Sequence, residues 1–261
     1  MNGESTKSAN NGPVALSSRR ALITGASSGI GKATARAFAQ AGFDVALVAR
    51  SEALLSELAT ELTTLGIVAR AFVIDLSKIE TVKEKVSQAI AAFGPVDVLV
   101  NNAGMGYTGT LIDMPLDDWQ QVMALNVTSV LQVVQAVLPQ MRNANQRDLS
   151  RQSGGLIVNI ASIAAQQSFP EWGAYGVSKA ALTALSGAIA AEESANGIRV
   201  ATLSPGAVDT PIWESSTVHS SFDRAAMLRA ETVAQTILHM AMLPPDAVIS
   251  QLTLTPAQGA L

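Results

Sequence analysis

Apolar and polar positions along this chain group into blocks. Short apolar runs rich in β-branched residues lie at ALIT (21–24), VALVA (45–49), ARAFVI (69–74), VDVLVN (96–101), GLIVNI (155–160), RVATLS (199–204) and VISQL (248–252). Longer stretches with helical spacing separate them, near 30–41, 52–65, 78–92, 118–141, 174–196 and 231–243. Runs that are apolar on both faces predict strands buried between two helical layers, which is the pattern of a parallel sheet. Strand–helix alternation of this kind predicts an open α/β sheet, with ligands at the carboxyl ends of its strands. No internal repeat or linker interrupts it, so residues 19–261 read as one domain. Residues 1–18 are polar and rich in Asn, Ser and Gly, which predicts a disordered tail without the apolar core of a signal peptide. Arg19-Arg20 runs straight into a strand, against a twin-arginine export signal. The uncharged run 119–141 carries Gln120, Gln121, Asn126, Gln132 and Gln135, which makes it a buried amphipathic helix rather than a membrane span.

Composition narrows the chemistry. The 261 residues are 48% hydrophobic and 15% charged, with a net charge of −4, against a nucleic-acid or anionic-membrane surface. The chain has no cysteine, which excludes disulfides, thiol catalysis and cysteine-ligated metals. The two histidines, His219 and His239, cannot build the clusters that zinc prefers, so no metal is expected.

The stretch TGASSGIGKAT (24–34) admits three readings. As a phosphate-binding P-loop it needs a glycine where Ala26 stands and a hydroxyl where Ala33 stands, and both positions fail. As a nucleophile elbow around Ser27 it needs several strands and an oxyanion loop before it, yet it follows the first strand. As a dinucleotide turn it fits. Gly25 ends the strand, Gly29 lets backbone approach a pyrophosphate, and Gly31 lets the helix pack closely, with its positive N-terminus toward the phosphates. The bland alternative is a glycine-rich turn without a ligand.

The second strand ends VALVARSE, with Ala49 where NAD-specific sites place an acid, then Arg50 and Ser51. Arg50 can pair with a 2′-phosphate, or simply open a solvated loop. Asp75 ends the third strand, where its carboxylate could accept from an adenine amino group. NNAG (101–104) ends the fourth with small residues suited to close backbone contact.

Tyr175 and Lys179 stand four apart on one helix face that continues through Leu182, Leu185 or Ser186, and Ile189. A lysine on a buried face is rarely a packing choice. Its ammonium is expected to lower the tyrosine pKa toward general acid/base use. Ser162 follows the fifth strand, where its hydroxyl could hold a carbonyl oxygen. Asn126 falls on the stripe of Trp119, Met123, Val130 and Val134, and its amide needs partners that an active-site water or a backbone relay would provide.

TGASSGIG, NNAG, Asn126, Ser162, YGVSK and SPGAVDT (204–210) together resemble the classical short-chain dehydrogenase/reductases, over about residues 19–210. The resemblance implies a doubly wound Rossmann-type fold with a seven-stranded parallel sheet. It implies Tyr175 as general acid/base, Lys179 on the nicotinamide ribose, Ser162 orienting the carbonyl and Asn126 holding a relay water. The NADP(H) site it implies takes in Gly25, Ser27, Ser28, Gly29, Ile30, Gly31, Arg50, Ser51, Asp75 and Leu76. It continues through Asn102, Ala103, Gly104, Tyr175, Lys179, Pro205, Gly206, Val208 and Thr210. A cytoplasmic homodimer or homotetramer pairing helices 118–141 and 174–196 is expected on the same basis.

Met105, Tyr107, Phe169, Trp172, Ile212, Trp213 and Phe222 form the expected substrate pocket, which favours a hydrophobic ketone, aldehyde or secondary alcohol. The ending VISQLTLTPAQGAL departs from the pattern of 3-oxoacyl-carrier-protein reductases, which stay as the alternative. A regulator binding NADP(H) without turnover is the second, disfavoured by the intact Ser–Tyr–Lys set. His219 reads as a loop residue in the variable segment 205–230, and His239 as structural. Arg142, Arg147 and Arg151 read as a solvated loop on the rim opposite the active site.

Overall fold

The computed structural model describes residues 19–147, 154–219 and 222–259. The expected tail at 1–18 and Arg151 lie outside these residues.

The chain runs β1 (Arg20–Thr24), α1 (Gly29–Gln40), β2 (Asp44–Ala49), α2 (Glu52–Thr63), β3 (Ala69–Val73), α3 (Ile79–Phe93), β4 (Val98–Asn101), α4 (Leu116–Met123) and α5 (Ser129–Arg147). It continues through β5 (Leu156–Ile160), α6 (Gly173–Glu193), β6 (Arg199–Pro205), β7 (Val208–Asp209), β8 (Leu228–Arg229), α7 (Ala230–Met242) and β9 (Gln251–Leu254). Seven strands form one parallel sheet in the order β3-β2-β1-β4-β5-β6-β9. β2 and β5 are buried at every position, as strands covered on both faces must be. One core layer joins Ile23, Leu47 and Val158 to Phe38, Leu58 and Ile237, from α1, α2 and α7. The opposite layer joins Leu22, Val48 and Leu99 to Val86, Val134 and Leu182, from α3, α5 and α6. Doubly wound is therefore the correct description.

The last strand starts three residues later than the apolar pattern predicts. Just before it, Arg199 Nη1 donates to the carbonyls of Pro244 (3.2 Å) and Ala247 (2.9 Å), which holds 244–247 as a loop. The two-residue pairing of β7 with β8 gives no periodic signal and is absent from the sequence reading.

The predicted helix 118–141 is longer and interrupted. A π-helical turn, Ala124–Thr128, joins α4 to α5. The stretch Leu116–Asn143 is long and apolar enough to cross a membrane, but Val122, Val130, Val133, Val134 and Val137 are buried against the core.

Arg142 corrects the expectation of a solvated loop. It stands on α5, and its Nε donates to Glu193 at 2.8 Å. Glu193 is buried, and Asn196 donates to it as well, at 2.9 Å. The Arg142 guanidinium holds the Glu193 carboxyl below the usual carboxylate range. This pair pins α5 to α6 at the ends remote from the cleft.

Candidate active site

Strand order reverses between β1 and β4, and the loops leaving their carboxyl ends part there. The cleft that results has a volume of about 500 Å³.

One end is an anion cradle. Gly25 and Gly29 have φ of 67° and 50°, a left-handed backbone that side chains resist. Ser28 caps α1 without a side-chain hydrogen bond, so the first-turn N–H groups and the positive helix end are left for a ligand. A Cβ on Gly29 would meet Thr210 at 3.0 Å, so the glycine keeps that gap open. Asn102 Nδ2 donates to the Thr24 carbonyl at 3.0 Å, and Thr24 Oγ1 accepts from the Asn102 and Ala103 N–H groups. The end of β4 is thereby stitched to the glycine turn.

Ala49 is buried, while Arg50 is exposed at the cleft wall. Partial burial pushes the Asp75 carboxyl up. Two hydrogen bonds from Ser77 and the Arg50 and Lys78 charges outweigh this and hold it below its ordinary value.

The other end holds the reactive groups. Ser162 opens a short 3-10 turn just past β5, and its Oγ accepts from the Ala164 N–H at 3.1 Å. It also donates to the Tyr175 phenol, which α6 presents in its first turn. Lys179, one turn on, is 5% exposed and donates from Nζ to the Ile160 carbonyl at 2.8 Å. Nζ lies 5.6 Å from the centre of the Tyr175 ring. Burial pushes the phenol up, and the Ser162 hydrogen bond opposes it. Burial pushes the lysine down to about 8. This corrects the expectation that the lysine depresses the tyrosine in the free protein, because desolvation of the phenol dominates.

Asn126 lies on the π-helical turn, fully buried. Its Oδ1 accepts from the Met105 N–H at 2.9 Å, and its Nδ2 donates to the Met105 carbonyl at 3.0 Å and to Ser178 Oγ at 2.9 Å. A π turn carries one extra residue, which lets the amide face inward from between two apolar stripes. Gly104 fits the same corner, where a Cβ would stand 3.0 Å from Asn126 Oδ1 and 3.5 Å from Lys179 Nζ.

Aromatic rings wall the space beside the phenol. Tyr175 meets Trp172 edge to face at 5.3 Å, Trp172 meets Trp213 at 5.6 Å, and Trp213 meets Phe222 at 5.5 Å. Trp172 follows Glu171, a non-glycine residue at φ 65°, whose carbonyl accepts from the Gly109 N–H at 2.8 Å. A strained residue fixed in this way sets the ring beside the site.

An N–H cradle, glycines where a Cβ would intrude, and an acid/base set at the far end fit a bound dinucleotide. The family comparison settles the class. The short chain dehydrogenase family model matches residues 19–220. The chain belongs to the short chain dehydrogenase family. It is accordingly an oxidoreductase. An uncharacterised oxidoreductase of Staphylococcus epidermidis is 33% identical over 236 residues, which cover 90% of this chain and 96% of that protein. An alcohol dehydrogenase from the archaeon Thermococcus sibiricus, solved with 5-hydroxy-NADP, superposes with a TM-score of 0.82 at 30% identity, covering 93% of this chain and 98% of that one. A short chain dehydrogenase from Mycobacterium paratuberculosis, bound to NAD, has a TM-score of 0.78 at 27% identity, covering 90% and 96%.

Within this dehydrogenase, the expected cofactor residues line the cleft except Gly31. Gly31 stands behind the turn, where a Cβ would come within 2.2 Å of the Gly25 carbonyl oxygen, so it acts through packing. Ser162, Tyr175 and Lys179 line the cleft, whereas Asn126 stands behind Met105. Six of the seven expected substrate residues line it as well. Tyr107 does not: its hydroxyl donates to Asp118 at 3.0 Å, away from the cleft. Gly106, Leu125, Ile163, Ala164, Ala207 and Ser215 also line it and were missed. Ala207 lies inside SPGAVDT, and Gly106, Leu125, Ile163 and Ala164 stand within two residues of NNAG, Asn126 or Ser162, an adjacency that was the available signal; Ser215 had none. His219 is an exposed loop residue whose N–H donates to Thr108, and His239 is exposed on α7.

Proposed function

We propose that residues 19–261 form one catalytic domain that reduces neutral carbonyls, and oxidises the matching secondary alcohols, with NADP(H). The observation that carries this reading is the convergence of Ser162, Tyr175 and Lys179 at the far end of a cleft that opens on the glycine turn and Arg50. When bound, the nicotinamide supplies or accepts the hydride. Ser162 and Tyr175 hold the carbonyl oxygen by hydrogen bonds, and the Tyr175 phenol gives it a proton as the alkoxide forms. The Lys179 ammonium stabilises the phenolate left behind. Its Nζ lies 5.6 Å from the centre of the ring, close enough to favour the charged form once the proton has left. At neutral pH the phenol is protonated and the ammonium charged, which is the state needed for reduction. Asn126 acts as a positioning residue, fixing the Met105 backbone beside the reactive groups.

Gly25, Ser27, Ser28, Gly29 and Ile30 hold the pyrophosphate in this reading, and Asp75 with Leu76 borders the adenine. Arg50 and Ser51 hold the 2′-phosphate. One hydrogen bond to a charged group contributes about 1.5–3 kcal/mol, so Arg50 should favour NADPH over NADH roughly ten- to hundredfold. The preference should shrink as salt screens the exposed contact. The test is kcat/KM for both cofactors with a panel of ketones, at low and high ionic strength, in wild type and in an Ala49→Asp, Arg50→Ala double variant. The double variant should move toward NADH. A wild-type enzyme that prefers NADH sinks the NADP(H) assignment, and a protein that binds cofactor but reduces no ketone sinks the reductase reading.

A further inference from the structure

Resting on that reading, we infer that the substrate carries an aromatic ring next to its carbonyl, seated against Trp172 and Trp213.

The wall beside Tyr175 supports this. Trp172, Trp213 and Phe222 follow the phenol at successive ring spacings of 5.3, 5.6 and 5.5 Å, each edge to face with the next. Met105 and Ile212 line the same cleft. Arg50, Asp75 and Lys179 are the charged side chains among the lining residues described, and none of them belongs to this wall. An ionised substituent here would lose its hydration without gaining a counter-charge. A flat ring instead meets the faces and edges of other rings, an interaction that adds to simple burial.

Trp213 is also fixed in advance. Trp213 Nε1 donates to the Val208 carbonyl at 2.8 Å. Its turn, Pro211–Glu214, is tied back because Arg224 bonds both Glu214, at 2.8 Å, and Asp209. Rings held before the substrate arrives bind it with little ordering cost.

Acetophenone and cyclohexyl methyl ketone share a carbon skeleton and differ in the ring. Conjugation makes acetophenone the less electrophilic ketone, so a preference for it must come from the wall. The expected result is a kcat/KM for acetophenone about fivefold above that for cyclohexyl methyl ketone in the wild type. Trp213→Leu and, separately, Trp172→Leu should bring the two within about twofold, read as the ratio within each variant, with 2-butanone reduction measured alongside to register any general loss. Equal or reversed wild-type preference overturns the inference and leaves the reductase reading standing, a result that needs no variant to fold. An aryl preference unchanged in both variants overturns the assignment to these rings. Reduction of none of the three ketones with either cofactor overturns the reductase reading, and this inference with it.

Discussion

Tyr175→Phe is expected to lower kcat for ketone reduction by at least 10²–10⁴-fold while leaving NADPH affinity within about threefold of wild type. In the proposed reaction the phenol gives its proton to the carbonyl oxygen, and loss of a positioned general acid has an effect of this size. The ring itself remains, so its contact with Trp172 survives and the fold is not at issue. Near-normal turnover in the variant would remove the tyrosine from the mechanism. The same chemistry fixes a pH dependence. Burial lowers Lys179 to about 8 and raises Tyr175. A lysine with a depressed pKa is charged below that value and neutral above it. In the reductive direction kcat/KM should therefore be level below pH 8 and fall as pH rises through about 8, while the phenol is still protonated. Lys179→Arg should abolish that limb, because a guanidinium keeps its charge. A profile that stays level to pH 10 in the wild type would separate the lysine charge from catalysis.

Gly31→Ala is expected to be the most damaging single methyl group near the cleft. The added Cβ would stand 2.2 Å from the Gly25 carbonyl oxygen and 2.6 Å from Asn102 Nδ2. Both neighbours are fixed, one as backbone and the other by its bond to Thr24. Helix α1 has to move off the sheet, at a cost of about 3 kcal/mol, the upper part of the range for overpacking. For a protein of this size that corresponds to a fall in Tm of roughly 6–12 °C. Cofactor affinity should fall at least tenfold, since the displaced turn is the proposed phosphate cradle. Gly187→Ala is the control. It lies exposed on α6 with nothing within 4 Å of an added Cβ, and should raise stability by up to about 1 kcal/mol. Thermal unfolding and cofactor titration of both variants check the pair. An unaltered Tm and Kd in Gly31→Ala would refute the packing argument.

These effects follow from residues that periodicity and motif spacing had already placed. β2 is apolar at nearly every position and buried on both faces, so its class, its parallel pairing and the helices over it were legible from hydropathy. Tyr175 and Lys179 were legible because four residues make one helical turn. Other features depend on partners that no local pattern reveals. Tyr107 looked like a pocket residue, but a single hydrogen bond to Asp118 turns it away. Arg142 read as part of a solvated loop, but it is an exposed helical residue to which α6 brings a buried carboxylate. The direction of the tyrosine shift was misread because proximity to a cation is visible in sequence, whereas the depth at which both groups sit is not.

The π-helical turn gives the active site a dependence on chain length. Successive residues of a regular helix are rotated by about 100°, so the surplus residue in 124–128 sets the angular phase between α4 and α5. The amide of Asn126 reaches Met105 only in that phase, while Val122 before it and Val130 after it both face the core. A substitution in this turn acts at its own position, but a one-residue deletion puts the two halves of the helix out of step. The site or the core must then give way. A change in the length of the turn should therefore cost more than a change of residue at any of its positions other than Asn126.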